Sequence, residues 1–253
     1  MGYIYKTNHN YFEKIDTEYK AYILGLIYAD GSIIESKGNR QLKVVIGLQE
    51  EDGYILSKFA REAGGRDLTI SHVPSHKSKN WKPTAKITVT SDKICKKLIS
   101  YGCKIRKSQE GMNFPFLEEK LIPHFIRGFF DGDGSLIFKK VSYNYKRKTT
   151  NNIKNPAIQK YKLRLAFSST DLDFLKKLLT YLPTGNHYIA ERKRKQICYT
   201  LWIEAKKDVD SCIDYLYKNC NFFLKRKYAK VELFNKTIKS QAESKLSEGL
   251  ETT

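Results

Sequence analysis

Two carboxylates in this sequence share one setting. Asp30 closes the apolar run "YILGLIYADGSI", residues 22–33, and Asp133 closes "FIRGFFDGDGSLI", residues 125–137. Aligned without a gap, the runs place Gly25 over Gly128, Asp30 over Asp133 and Ser32 over Ser135. A single Asp-Gly is an ordinary way to leave a helix. An acid repeated at the same end of two matching segments points to a pair of acids that work together.

The spacing of small residues supplies a way to pair them. Ala21, Gly25 and Ala29 recur every four residues in the first run, and Gly128 and Gly132 do so in the second, so each helix has a seam with almost no side chain. Two such seams let backbones touch while the flanking Leu24, Ile27, Phe129 and Phe130 bury area beside them. Packed side by side about a pseudo-twofold axis, the helices bring Asp30 and Asp133 together at their C-terminal ends. Two carboxylates there repel, and helix dipoles of about half a negative charge each add to the penalty unless a cation is present. Hard oxygen donors with few other protein ligands suit Mg²⁺, which keeps waters and takes its remaining ligands from phosphate. Paired carboxylates, a divalent metal and a basic surface make up the chemistry of phosphodiester hydrolysis. The competing calcium-loop reading of "DGDGS" fails, because its sixth position holds Leu136 where Gly is required and its twelfth is Ser142 rather than Glu.

The elements that hold these acids follow from changes of period. Asp16 and Thr17 offer N-caps to a helix over "EYKAYILGLIYA", and Gly31 can stop it. In "QLKVVIGLQ" and "AKITVTS" apolar residues alternate with polar ones, the signature of strands with one buried face. Between those strands "EEDGYILSKFAREAGG" has helical spacing, and "SDKICKKLISYGC" follows from a Ser91 or Asp92 cap. Residues 124–220 repeat the order of helix, two strands, helix, two strands, helix, and even the spacing of Cys95 and Cys103 recurs as Cys212 and Cys220. The Gly- and Pro-containing joint lies near residues 105–120. The reading is therefore an α+β chain with one half over 1–110, a second over 111–235, and a polar tail over 236–253 that is expected to be disordered.

Charge narrows the partner. Forty-six Lys and Arg against 27 Asp and Glu give a formal charge of +19, which favours a polyanion over a membrane or a small substrate. The five cysteines form no C-x-x-C pair, which speaks against a zinc ribbon or a disulfide framework and for reduced thiols inside a cell. Without an 18-residue apolar stretch or a signal-peptide core, the chain is expected to be soluble and to have no membrane partner. Polar positions of the strands, among them Lys43, Lys86, Thr88, Lys162 and Arg164, would form an outward sheet face rich in hydrogen-bond formers. Lys139, Lys140 and Arg147 in the basic stretch after Asp133, and Arg192 and Arg194 in "ERKRKQ", add DNA-binding candidates to it. Such a face suits the major groove, with Lys and Arg on phosphates or guanine edges.

"YILGLIYADGS" and "FIRGFFDGDGS" together resemble the paired signature of the LAGLIDADG homing endonucleases in their single-chain, two-motif form. The resemblance spans about residues 10–235. It implies two pseudo-symmetric αββαββα half-domains whose saddle-shaped antiparallel sheets sit astride a long, asymmetric double-stranded DNA site. It also implies Mg²⁺-dependent cleavage leaving 3′ overhangs, with two or more divalent ions. By position, Asp30 and Asp133 are then the acidic metal ligands, and the carbonyls of Ala29 and Gly132 are further ligands. The first copy departs from the pattern at Tyr28, where the second has Asp131; since the last acidic position is the one linked to metal, cleavage is expected to survive. The family also places basic or polar residues near the metals, and Lys86 and Gln49 are the candidates in the first half. Lys86 aligns with Thr200, so the second half has no evident twin, and Lys193 or Lys195 could take that place. A monomer with internal pseudo-twofold symmetry is expected, located in an organelle or in a bacterial or phage-infected cytoplasm. The alternative is an RNA maturase of the same fold, with intron RNA as partner.

Overall fold

Burial on all sides explains why both motif runs are so apolar, since a helix with no solvent face has no use for polar residues. The computed structural model describes residues 4–36, 40–71, 82–105, 111–143, 158–193 and 196–250. In the first half the order is β1 (Ile4–Tyr5), α1 (Glu18–Asp30), β2 (Gly31–Glu35), β3 (Leu42–Gln49), α2 (Gly53–Ala63), β4 (Gly65–Ser71), β5 (Thr84–Thr90) and α3 (Asp92–Ser100). The second half follows with α4 (Ile122–Asp133), β6 (Gly134–Tyr143), β7 (Ile158–Ser169), α5 (Leu172–Leu179), β8 (His187–Lys193), β9 (Ile197–Ile203), α6 (Lys206–Tyr217) and α7 (Lys225–Leu250). The last helix runs to Leu250, past residue 236, where the sequence suggested a disordered tail.

Each half builds an antiparallel sheet of the same order. The strands run β1-β4-β5-β3-β2 in the first and β6-β7-β9-β8 in the second, so β1 is an added edge strand and the remainder correspond one to one. Alternation holds as expected: in β5, Ala85, Ile87 and Val89 are buried while Lys86 is exposed. Thr17, Ser91 and Asp171 cap the helices that follow them, each side-chain oxygen accepting from a backbone N–H three residues on. All five cysteines are free thiols. Among the described residues no helix is long and apolar enough to cross a membrane.

The seam of α1 against α4 is a backbone contact. A Cβ on Gly25 would lie 2.1 Å from the Phe125 carbonyl oxygen, and one on Gly128 only 2.0 Å from that of Tyr22. Neither oxygen can move without its helix, so only glycine permits this approach. Gly31 ends α1 for a reason other than the one its position suggested. Its φ of −81° is open to any residue, but a Cβ there would sit 2.6 Å from the Ile27 Cα. The chain therefore passes from helix to strand with no connecting residue, and Gly134 does the same after α4.

Candidate functional site

Asp30 and Asp133 are the last residues of their helices, and both are exposed where the helix bodies are buried. Asp30 opens on a cavity of about 420 Å³ that it shares with Gly132, Gly47, Gln49 and Thr84. Asp133 opens on one of about 250 Å³ shared with Ala29, Ser168, Thr170 and Cys198. Each acid thus faces the same space as the small residue just before the acid of the other helix. The close approach is direct, since a Cβ on Gly132 would meet Asp30 Oδ2 at 2.9 Å.

The two cavities are the same site written twice. Gly31 pairs with Ile46 and Gly134 with Phe167, while Ile46 pairs with Ile87 and Phe167 with Leu201. On that register Gly47, Gln49 and Thr84 correspond to Ser168, Thr170 and Cys198, which are the residues found at the second acid. Gln49 Oε1 is buried without a hydrogen-bond partner among the described residues, and it stands in the Asp30 cavity beside the carboxylate.

The most deeply buried basic group at the site is one the sequence did not single out. Lys227, near the start of α7, is buried, and its ammonium donates to the carbonyls of Phe130 at 2.6 Å, Gly134 at 2.6 Å and Gly132 at 3.3 Å. It answers the C-terminal dipole of α4 and lies within the field of both Asp30 and Asp133. Burial pushes its pKa down to about 8, against the pull of Asp131 and the two site acids. Lys230 and Arg226 line the same cavity. The signal in sequence was the basic run "LKRKYAK" at a helix start, which composition alone cannot tell from solvated surface.

Asp131 sets where that lysine stands. It is fully buried and accepts from Tyr22 Oη at 2.8 Å, Tyr217 Oη at 2.9 Å and the Leu224 backbone N–H at 2.8 Å. Burial raises its carboxyl above the usual range, and these hydrogen bonds pull the other way. At the matching position of α1, Tyr28 Oη lies 2.7 Å from the Tyr101 carbonyl and 2.9 Å from that of Asn113. Each side chain ties its helix to the segment that follows α6 or α3, Asp131 as acceptor and Tyr28 as donor.

The donors present fit a divalent cation held partly by solvent and phosphate. Two exposed carboxylates stand at negative helix ends, and among the described residues no group of three His, Cys, Asp or Glu could form a closed protein cage. The Gly132 carbonyl has one lone pair turned to Lys227 at 3.3 Å, which leaves the other for a ligand.

Around the acids the outward sheet faces are polar. Pairing of Lys43 with Thr90, Val45 with Thr88 and Gly47 with Lys86 sets Lys43, Lys86 and Thr88 on one face of the first sheet, together with Gln49. In the second sheet Lys139 pairs with Lys162, and Arg164 and Arg192 share their face. Lys140 does not: it alternates to the opposite face and pairs with Tyr161. Lys86 is on the face but lines neither cavity, so Lys227 and Gln49, not Lys86, stand beside Asp30. Arg164 is half-buried and engaged with Glu204 rather than open to solvent. Lys193 is exposed beside Glu191 and lines neither cavity; Arg147, Arg194 and Lys195 lie outside the described residues.

Residues 126–238 match the family model described as LAGLIDADG endonuclease. No curated protein sequence matches the chain. Among solved structures it is similar to I-SmaMI bound to uncleaved DNA target in the presence of calcium ions, at 14% identity over 93% of this chain and 96% of that one, TM-score 0.55. The I-LtrWI LAGLIDADG homing endonuclease bound to target DNA is 16% identical over 92% of this chain and 96% of its own, TM-score 0.54. I-SmaMI bound to cleaved DNA is 16% identical over 99% and 95%, TM-score 0.56. At such identities the likeness is one of fold.

Proposed function

We propose that this chain, whose residues 126–238 match the LAGLIDADG endonuclease family model and whose fold is similar to that of LAGLIDADG homing endonucleases, hydrolyses both strands of a long, asymmetric DNA site and leaves 3′ overhangs. The carrying observation is the pair of exposed carboxylates, Asp30 and Asp133, at the same end of two helices in backbone contact, each opening on a matched cavity. A charge of +19 and the outward lysines draw a polyanion onto that end.

Asp30 with the Gly132 carbonyl, and Asp133 with the Ala29 carbonyl, would hold the divalent ions, for which Mg²⁺ is the natural choice. When bound, such an ion supplies an activated water and neutralises charge on the scissile phosphate and the departing oxygen. The chain's own groups do the rest. Lys227 places a positive charge in the Asp30 cavity and within the field of both acids, where the phosphate gains charge in the transition state, and the low dielectric around it strengthens that effect. Gln49 Oε1, which has no partner among the described residues, can orient a water in the Asp30 cavity. Ser168 and Thr170 offer hydroxyls at the second acid.

The test is incubation of the purified protein with Mg²⁺ and an intron-free copy of the locus that encodes it. A double-strand cut with 3′ overhangs is expected, and Asp30→Asn and Asp133→Asn should each suppress it. No cutting, or cutting that survives both substitutions, would sink the reading.

A further inference from the structure

The second sheet carries one side-chain cluster that the cleavage chemistry does not use. Arg164 lies mid-strand in β7 on the outward face, and one step beyond the Leu165–Ile203 pair stands Glu204. Arg164 Nη2 donates to Glu204 Oε1 and to Tyr188 Oη at 3.1 Å, and Tyr188 Oη donates to the same carboxylate oxygen at 2.7 Å. The guanidinium carbon sits 4.3 Å from the centre of the Trp202 ring, which in turn stacks on Tyr188 at 21°. Arg164 Nε is shut off from solvent, and Nη1 has no partner among the described residues.

This is an expensive way to display one arginine. In a chain of +19, a carboxylate on the face turned to a polyanion costs non-specific attraction, and a flexible lysine would serve a phosphate better. What the carboxylate and the indole provide is a fixed plane and a fixed direction. With Nη2 spent on Glu204 and Tyr188 and Nε shut off, Nη1 is the nitrogen that can reach a base edge: held in one plane it can donate to guanine O6, while the neighbouring carboxylate can accept from N4 of the paired cytosine, so the two groups together read a G·C pair.

We infer that Arg164, held by Glu204, Tyr188 and Trp202, is a specificity-determining residue that reads the guanine of one G·C pair in the half-site under the second sheet. The assignment rests on the endonuclease reading. It also has a place on the DNA. Arg164 lies four residues along β7 from Ser168 at the Asp133 cavity, roughly 14 Å at the rise of a strand, or about four base pairs from the cleavage centre.

The experiment selects binders from a randomised double-stranded DNA library with the wild-type protein, Arg164→Lys, Arg164→Ala and Glu204→Gln, and measures the salt dependence of binding to unselected duplex. The wild type is expected to enrich a G·C pair about four base pairs to one side of centre. Both Arg164 variants should lose that preference by roughly tenfold or more while the rest of the profile stays, and Arg164→Lys should keep the salt slope. Glu204→Gln should bind unselected duplex more tightly yet discriminate less at that pair. Uniform weakening by Arg164→Ala with a salt slope lower by about one would make Arg164 a phosphate contact, and an unchanged profile would make the cluster structural. Either result overturns the assignment, as does a selected site without that pair. A wild-type protein that selects no sequence removes the endonuclease reading and this assignment with it.

Discussion

Around Asp30 the three aligned wall positions are Gly47, Gln49 and Thr84; around Asp133 they are Ser168, Thr170 and Cys198. The walls match in position and differ in chemistry, and the supports behind them differ more. In the second half the end of α6 and the segment after it are held by charge: Asp131 accepts from Leu224, Arg127 donates to the carbonyls of Leu216 and Phe222, and Glu18 accepts from Asn221. In the first half the corresponding place is taken by Tyr28 on two carbonyls, its ring edge-on to Phe125 and stacked with Phe174. A duplicated backbone thus tolerates two unlike ways of fixing a loop, provided that the acids and the glycine seam are kept.

Removing an acid breaks the comparison hardest. Asp30→Asn and Asp133→Asn are each expected to slow cleavage roughly a thousandfold, about 4 kcal/mol of transition-state stabilisation, with duplex binding retained. If one variant cuts both strands at near wild-type rate in a time-resolved duplex assay, the cavities are not equivalent. Next comes the shared seam. Gly25→Ala and Gly128→Ala each force a methyl against a backbone oxygen about 2 Å away and should cost about 3 kcal/mol or more, read as a lower urea midpoint. Equal losses are expected, because each glycine faces the other helix; a cost confined to one would show that the halves do not share the contact.

The supports themselves separate at smaller energies. Asp131→Asn puts an amide NH₂ in place of one of the two oxygens that share three donors and should cost about 2 kcal/mol, whereas Tyr28→Phe removes one donor from two carbonyls and should cost about 1 kcal/mol. Since Asp131 fixes the segment that carries Lys227, its variant should also lose activity beyond the loss of fold. Tyr28→Phe should leave activity near normal in the fraction that remains folded. Chemical denaturation and cleavage rates on the same samples check both.

What could be read in advance tracks how local each signal is. The helix seam was legible because small residues at one spacing have a single steric meaning, and the strands because their alternation marks a buried face. Lys227 was not, because a lysine among lysines at a helix start differs from its neighbours only through burial against α4. Lys139 and Lys140 sit side by side, so composition could not say which faces outward; pairing with Lys162 and Tyr161 does. The engagement of Arg164 depends on Glu204, on another strand, and Asp131 acquires its role only when Tyr22, Tyr217 and Leu224 close around it.

The smallest effect tests whether the charged support spans the halves. Glu18 belongs to the first half, yet it takes hydrogen bonds from Asn221 N at 2.7 Å and Arg127 Nη2 at 2.8 Å in the second. Burial raises its carboxyl, but the Asn221 hydrogen bonds and the Arg127 charge outweigh it, and the net shift is downward from 4.5. An acid whose folded pKa is depressed stabilises the fold above its unfolded value, and that contribution is lost as pH falls through the folded one. Glu18→Gln keeps an acceptor and Arg127 keeps its carbonyls, so the variant should be less stable by only about 0.5 kcal/mol at neutral pH. In urea titrations the gap to wild type should hold above 4.5, narrow below it, and close once Glu18 is protonated in the folded protein too. A gap that persists unchanged into acid would mean that shape, not charge, does the holding, and the contrast between the two supports would then reduce to one of geometry.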